Sequence, residues 1–130
     1  MMTRSAANEN KAEFMITFIY YRDLRKGIEF YGELLGFPLE IDQGWSKIYR
    51  VSETGYLGIV DETRGFHKWR REKTVQICLR VQDISHWYRY LLDKGVTTLS
   101  EVFTSEELKI KAFVFEDPEG YQIEIQEPIN

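Results

Sequence analysis

The sequence has one cysteine, Cys78, three prolines and no excess of basic charge. A single thiol excludes an internal disulfide and any zinc site built from several cysteines. Seventeen basic residues against 21 acidic ones leave a formal net charge of −4. That balance argues against a dedicated nucleic-acid binder, whose phosphate contacts need a basic face. It argues equally against attraction to an anionic membrane surface. No apolar run approaches the roughly 18 residues of a bilayer span. The first residues, MMTRSAANENKAEF, lack the apolar stretch of a signal peptide. These absences lead to the expectation of a soluble, cytoplasmic protein without nucleic-acid or membrane partners.

What is present points to a folded domain. A chain of 130 residues is long enough to bury a proper core. With 43% hydrophobic and 29% charged residues, disorder over most of it is excluded. Aromatic residues reach 15%, with 8 Tyr, 8 Phe and 3 Trp. Such residues fill cores, and they also line pockets for flat or apolar ligands.

Residues 1–12 are polar and aperiodic and read as a frayed leader. The run from Phe14 to Tyr21 is β-branched and aromatic, the pattern of a strand buried on both faces. Asp23 then caps a helix on which Leu24, Ile28, Tyr31, Leu34 and Leu35 recur at helical spacing, and Gly36 ends it. Short strands are expected near 37–42, 45–52 and 55–61, with Gly44 and Gly55 at the turns. The charged segment 62–73, DETRGFHKWRRE, reads as a linker. The order then restarts: a strand over Thr74–Val81, a helix capped by Asp83 and closed by Gly95, and a short strand near 96–99. Thr104 and Glu107 have the spacing of a capping box opening one helical turn. Two strands, Ile110–Glu116 and Tyr121–Gln126, close the chain around the turn Asp117-Pro118-Glu119-Gly120.

The pattern is β-α-β-β-β twice, with a period near 60 residues: Asp23 corresponds to Asp83, and Gly36 to Gly95 within one residue. A repeat this long indicates duplication rather than a solenoid. The fold class is therefore α+β: two βαβββ modules, 13–61 and 74–127, joined by the linker 62–73 into one domain over 13–130. Neither sheet is large enough to close alone, so the two modules are expected to curve around a cup.

The strings YYRDLRKGIEFYGELLGF, LRVQDISHWYRYLLDKGV and FEDPEGYQIEI together resemble the vicinal oxygen chelate superfamily, which holds glyoxalase I, the extradiol dioxygenases and the bleomycin-resistance proteins. The resemblance spans residues 14 to 127. It implies the fold, and it implies little about the reaction, because this fold hosts several chemistries. It also implies a homodimer, with sheet edges paired across two chains.

Enzymes of that superfamily hold one divalent metal in the cup, with donors on the first and last strands of each half. Carried onto this chain, the first-half positions are Ile16 and Gly58, whose side chains cannot coordinate a metal. The second-half positions are Gln76 and Glu124, which can. The metal reading thus rests on Gln76 and Glu124 alone, an incomplete site, and the expected cofactor is none, with one divalent metal as the alternative.

Strand alternation offers a second reading. Ile16, Phe18 and Tyr20 share the face on which the superfamily's ligand sits, and Thr17, Ile19 and Tyr21 face the helix. Gln76, Cys78 and Arg80 share one face of their strand, as do Gln122, Glu124 and Gln126. An apolar and aromatic wall of Ile16, Phe18 and Tyr20 opposite Gln76, Arg80 and Glu124 suits a small aromatic or amphipathic molecule. Arg80 is expected to reach Glu124 and offset the cost of burying it. Trp69, in the linker with Phe66, is placed at a pocket rim or a dimer contact.

Other candidates have plainer explanations. His67 and His86 are not spaced as a metal pair and read as surface residues. Cys78 has no histidine beside it in the strand pattern and reads as a small buried hydrophobe. Lys68-Trp69-Arg70-Arg71 is short and followed by Glu72, so a solvated linker accounts for it. Three functions stay open: a metal-independent binder of a small aromatic or amphipathic molecule; a divalent-metal-dependent glyoxalase-like lyase or extradiol-type dioxygenase with an altered ligand set; and a dimeric interaction module whose cup is filled.

Overall fold

The computed structural model describes residues 10–130. The expected leader lies outside the described residues except for 10–12, which carry no regular structure. The chain divides into two compact units, one ending at Trp69 and one beginning at Arg70, so the break falls inside the charged segment read as a linker. Each unit is an α+β module with one four-stranded mixed sheet.

In the first unit the order is β1 (Met15–Tyr21), α1 (Leu24–Gly27), a π-helical continuation (Ile28–Leu34), β2 (Leu39–Asp42), β3 (Ser46–Arg50) and β4 (Gly55–Asp61). The sheet order is β1-β4-β3-β2. β1 and β4 are parallel, and the other pairs are antiparallel. Asp23 caps α1 as expected, its Oδ1 accepting the Arg25 amide at 3.2 Å. The helix then widens, with the Leu35 amide donating to the Phe30 carbonyl five residues back. Phe30 and Tyr31 are both buried along this stretch. Gly36 ends it with φ at +76°. Gly27 lets the helix approach the sheet closely: a Cβ there would stand 2.8 Å from Ile59 Cδ1 and 3.0 Å from Tyr21 Cε2.

β1 is not buried on both faces as its composition suggests. Ile19 and Tyr21 are buried towards the helix, while Phe18 is 42% exposed on the other face. The composition misleads because Phe18, Ile16 and Tyr20 are apolar on an open face, where a soluble strand usually carries polar side chains.

The second unit contains β5 (Gln76–Arg80), α2 (Ile84–Asp93), β6 (Phe103–Ser105), β7 (Ile110–Glu116) and β8 (Gln122–Pro128). Its sheet order, β5-β8-β7-β6, repeats that of the first, again with a parallel outer pair. The start of α2 is doubly satisfied: Asp83 Oδ1 accepts the His86 amide at 3.1 Å, and Glu127 Oε1, from β8, accepts the Ile84 amide at 2.9 Å. The buried face of this sheet carries Phe113, Phe115, Ile123 and Ile125. Tyr88 of α2 meets Phe113 edge to face at 4.9 Å. The turn between β7 and β8 forms as expected, with the Gly120 amide on the Asp117 carbonyl and φ of Gly120 at +92°.

Two expectations in this unit are corrected. Residues 96–99 are not a strand. The segment lies beside β7, but side-chain hydroxyls supply part of the pairing. Thr98 Oγ1 takes the Glu116 amide at 2.9 Å, and Ser100 Oγ takes the Val114 amide at 3.0 Å. Thr104 opens no helical turn either; it lies in β6, opposite Lys111. Ser105 Oγ accepts the Leu108 amide, and Lys109, at φ 59°, turns the chain back into β7.

Candidate functional site

Register places the side chains of the first sheet. Ile16, Phe18 and Tyr20 of β1 stand opposite Tyr56, Gly58 and Val60 of β4, and Gly58 and Val60 stand opposite Ile48 and Ser46 of β3. Directly paired residues point to the same face, so these side chains form one surface. The three residues expected on an aromatic wall, Ile16, Phe18 and Tyr20, are thus together on the face away from the helix.

Gly58 has a particular role on that face. A Cβ at this position would lie 2.5 Å from both Cδ1 and Cε1 of Phe18, and 3.4 Å from Ile48 Cγ1. The Phe18 ring therefore rests on the Gly58 backbone, filling the space a side chain from β4 would take. Gly65 acts similarly at the end of the face, where a Cβ would meet Val60 Cγ1 at 2.6 Å and Tyr20 Cε2 at 2.7 Å. The segment after β4 can lie against the sheet only with glycine there.

At this end the surface deepens into a pocket of about 250 Å³, whose walls include Phe18, Tyr20, Trp45 and Phe66, with Gln43, Ser46 and Arg64 as polar members. Phe18 and Tyr20 were legible as candidates from strand alternation. Ser46 and Arg64 were not, because their place depends on the register of β3 and on the path of the chain after Asp61. Asp61 shapes that path: its Oδ1 accepts both the amide and the hydroxyl of Thr63, at 2.9 and 2.7 Å. The Thr63 amide, with its hydroxyl next, holds the Asp61 carboxyl below its usual range. Trp69 does not line this pocket. It lies under the Arg22 guanidinium, 3.6 Å from the ring centroid, and its amide donates to Glu62 Oε1 at 3.0 Å. His67 packs edge-on against Tyr20, with ring centroids 5.3 Å apart.

The open face of the second sheet is polar. Gln76, Cys78 and Arg80 pair with Gln122, Glu124 and Gln126. Gln76 Nε2 donates to Gln122 Oε1, and Gln126 Nε2 donates to Glu124 Oε2 at 2.9 Å. The expected ion pair between Arg80 and Glu124 is not formed among the described residues. A neutral amide two positions along the same strand satisfies the carboxylate, and Arg80 stays exposed. Cys78 is exposed rather than buried. Partial burial still pushes its thiol up, the nearby Glu124 charge adds to this, and Arg80 opposes it.

These residues fit a metal poorly. Ile16 and Gly58 offer no donor, and the Phe18 ring covers Gly58. The two possible donors of the second unit, Gln76 and Glu124, are each engaged in side-chain hydrogen bonds. Within neither unit do three His, Cys, Asp or Glu residues converge among those described.

A model of the Glyoxalase/Bleomycin resistance protein/Dioxygenase superfamily matches residues 13–125. None of the curated proteins matches the sequence. Among solved structures, a lactoylglutathione lyase from Agrobacterium tumefaciens is similar at TM-score 0.73 and 15% identity, covering 91% of this chain and 95% of that one. A glyoxalase/bleomycin resistance protein/dioxygenase from Nocardioides reaches 0.74 at 17% identity, covering 98% and 90%. TioX from Micromonospora sp. ML1 reaches 0.74 at 13% identity, covering 91% and 100%. At these identities the likeness is one of fold.

Proposed function

Because the chain belongs to the glyoxalase/bleomycin resistance protein/dioxygenase superfamily, we propose that it is a member that binds a small aromatic or amphipathic molecule and does so without a full metal site. The observation that carries this reading is the Phe18 ring seated on Gly58. At the positions where the resemblance puts first-half metal donors, this chain builds an apolar surface, and that surface runs into a pocket walled by further aromatic side chains. Apolar pockets with a few placed polar groups are the usual form of small-molecule sites. The ligand stacks on the aromatic wall, and the polar residues at its margin orient it.

The test combines metal analysis of protein purified without chelator with a thermal-shift screen of aromatic compounds. Metal well below one equivalent per chain and stabilisation by flat amphipathic compounds support the reading. One tightly held divalent ion per chain overturns it in favour of a metal-dependent lyase or dioxygenase, with Gln76 and Glu124 the first ligands to test. The proposal includes a homodimer, since β1 and β2 in one unit and β5 and β6 in the other leave sheet edges unpaired within their own sheets. Sedimentation showing only monomer at micromolar concentration removes that part.

A further inference from the structure

The aromatic pocket of the first unit contains polar groups that narrow the chemistry of its ligand. Ser46, Val60 and Tyr20 are register partners across β3, β4 and β1, so they stand in one row on the pocket face. Ser46 is only 2% exposed, and its hydroxyl has no hydrogen-bond partner among the described residues. Folded proteins rarely keep a buried hydroxyl unpaired, because desolvation is then uncompensated. Arg64, on the same pocket, has its guanidinium 5.4 Å from the Trp45 ring centroid and forms no salt bridge among the described residues. Asp61 and Glu62, the acids nearest in sequence, already accept from Thr63 and from the Trp69 amide respectively. No carboxylate side chain among the described residues lines the pocket. The pocket therefore offers aromatic walls and a cation, with an unpaired hydroxyl beneath its surface; the Asp61 carboxylate, whose charge Arg64 feels, lies outside the lining.

We propose that the pocket takes a small aromatic carboxylate, its ring against Phe18 and Trp45 and its carboxylate accepting hydrogen bonds from the Arg64 guanidinium and the Ser46 hydroxyl. This rests on the reading of the aromatic face as a binding site. A guanidinium matches a planar carboxylate through paired N–H donors, which a neutral amide cannot reproduce. The volume of about 250 Å³ suits one or two fused rings rather than a larger ligand. The Ser46 hydroxyl is closed off from solvent as the pocket stands. The ligand reaches it by displacing the wall side chains that cover it; Phe66, 96% exposed at the rim, is not one of them.

The experiment is an NMR titration of the ¹⁵N-labelled full chain with 2-naphthoate and, separately, 2-naphthamide. The acid is expected to shift the Trp45 indole N–H and the Ser46 and Gly65 amides, and to bind at least tenfold more tightly than the amide. Arg64→Gln should abolish that preference. Ser46→Ala should weaken binding of the acid severalfold without lowering the melting temperature, since it removes an unpaired buried hydroxyl. Equal affinity for acid and amide at these same signals overturns the carboxylate inference and leaves the aromatic-face reading standing. Absence of shifts at Trp45, Ser46 and Gly65 with either probe overturns both.

Discussion

Phe18 and Gly58 fit together as ring and bare backbone across a parallel strand pair: Phe18 is the register partner of Gly58, and no side chain can be added at Gly58 without meeting the ring at 2.5 Å. Gly58→Ala is therefore expected to swing the ring off the sheet and destabilise the protein by about 1–3 kcal/mol, the usual range for overpacking. The cost should shrink to a few tenths of a kcal/mol in a Phe18→Ala background, because the clash partner is gone. Chemical denaturation of the four proteins in the cycle measures this. An unchanged cost in the double variant would show that the ring is not what Gly58 accommodates.

Phe18→Ala separates binding from folding. The side chain is 42% exposed, so its loss is expected to lower stability by only about 1 kcal/mol, below the roughly 3–5 kcal/mol of a fully buried aromatic. Loss of an anchor for an aromatic ligand should weaken binding by about 2 kcal/mol. Calorimetric titration with any hit from the aromatic screen, alongside denaturant unfolding, checks the split. A destabilisation of several kcal/mol with no ligand for the wild type would mark the face as solid packing and favour the interaction module.

Arg80→Ala should leave stability within about 0.5 kcal/mol of the wild type, because Arg80 is exposed and does not pair with Glu124. Gln126→Ala is expected to cost more, since the Glu124 carboxylate then loses its 2.9 Å donor. Thermal unfolding of both variants orders them. The opposite order would restore the ion pair as the partner of Glu124.

Cys78 is accessible, yet its thiol is raised by burial and by Glu124. Only the thiolate attacks a disulfide reagent. Its reaction at pH 8 is therefore expected to be slower than that of a free model thiol. Glu124→Gln removes a negative charge that favours the protonated form, so the rate should rise; Arg80→Ala removes a positive charge, so it should fall. Stopped-flow rates against pH give the three apparent pKa values in the order Glu124→Gln, wild type, Arg80→Ala. Coincident profiles would show that neither charge reaches the thiol.

The elements most legible in the sequence were those set by local chemistry. Asp23 and Asp83 announce helix starts because a carboxylate can satisfy free amides within its own turn. Gly36, Gly95 and Gly120 mark chain reversals because each adopts positive φ. The alternation of Ile16, Phe18 and Tyr20 with Ile19 and Tyr21 sorted β1 into two faces. Local chemistry also misled. Thr104 and Glu107 have capping-box spacing, but pairing with Lys111 on β7 holds Thr104 in a strand.

The sequence by itself thus determined the duplicated βαβββ plan apart from the place of β6, the helix boundaries, the turn between β7 and β8, and the lack of donor side chains at Ile16 and Gly58. Only the tertiary structure decided that the Phe18 ring occupies the room left by Gly58, that Gln126 rather than Arg80 serves Glu124, and that Ser46 and Arg64 meet the aromatic residues at one pocket. The physical reason is range. Caps, turns and face alternation are settled within a few residues of chain. Ser46 and Tyr20 share a face only through the register of two strand pairings, β3 with β4 and β4 with β1, and no local preference encodes that sum.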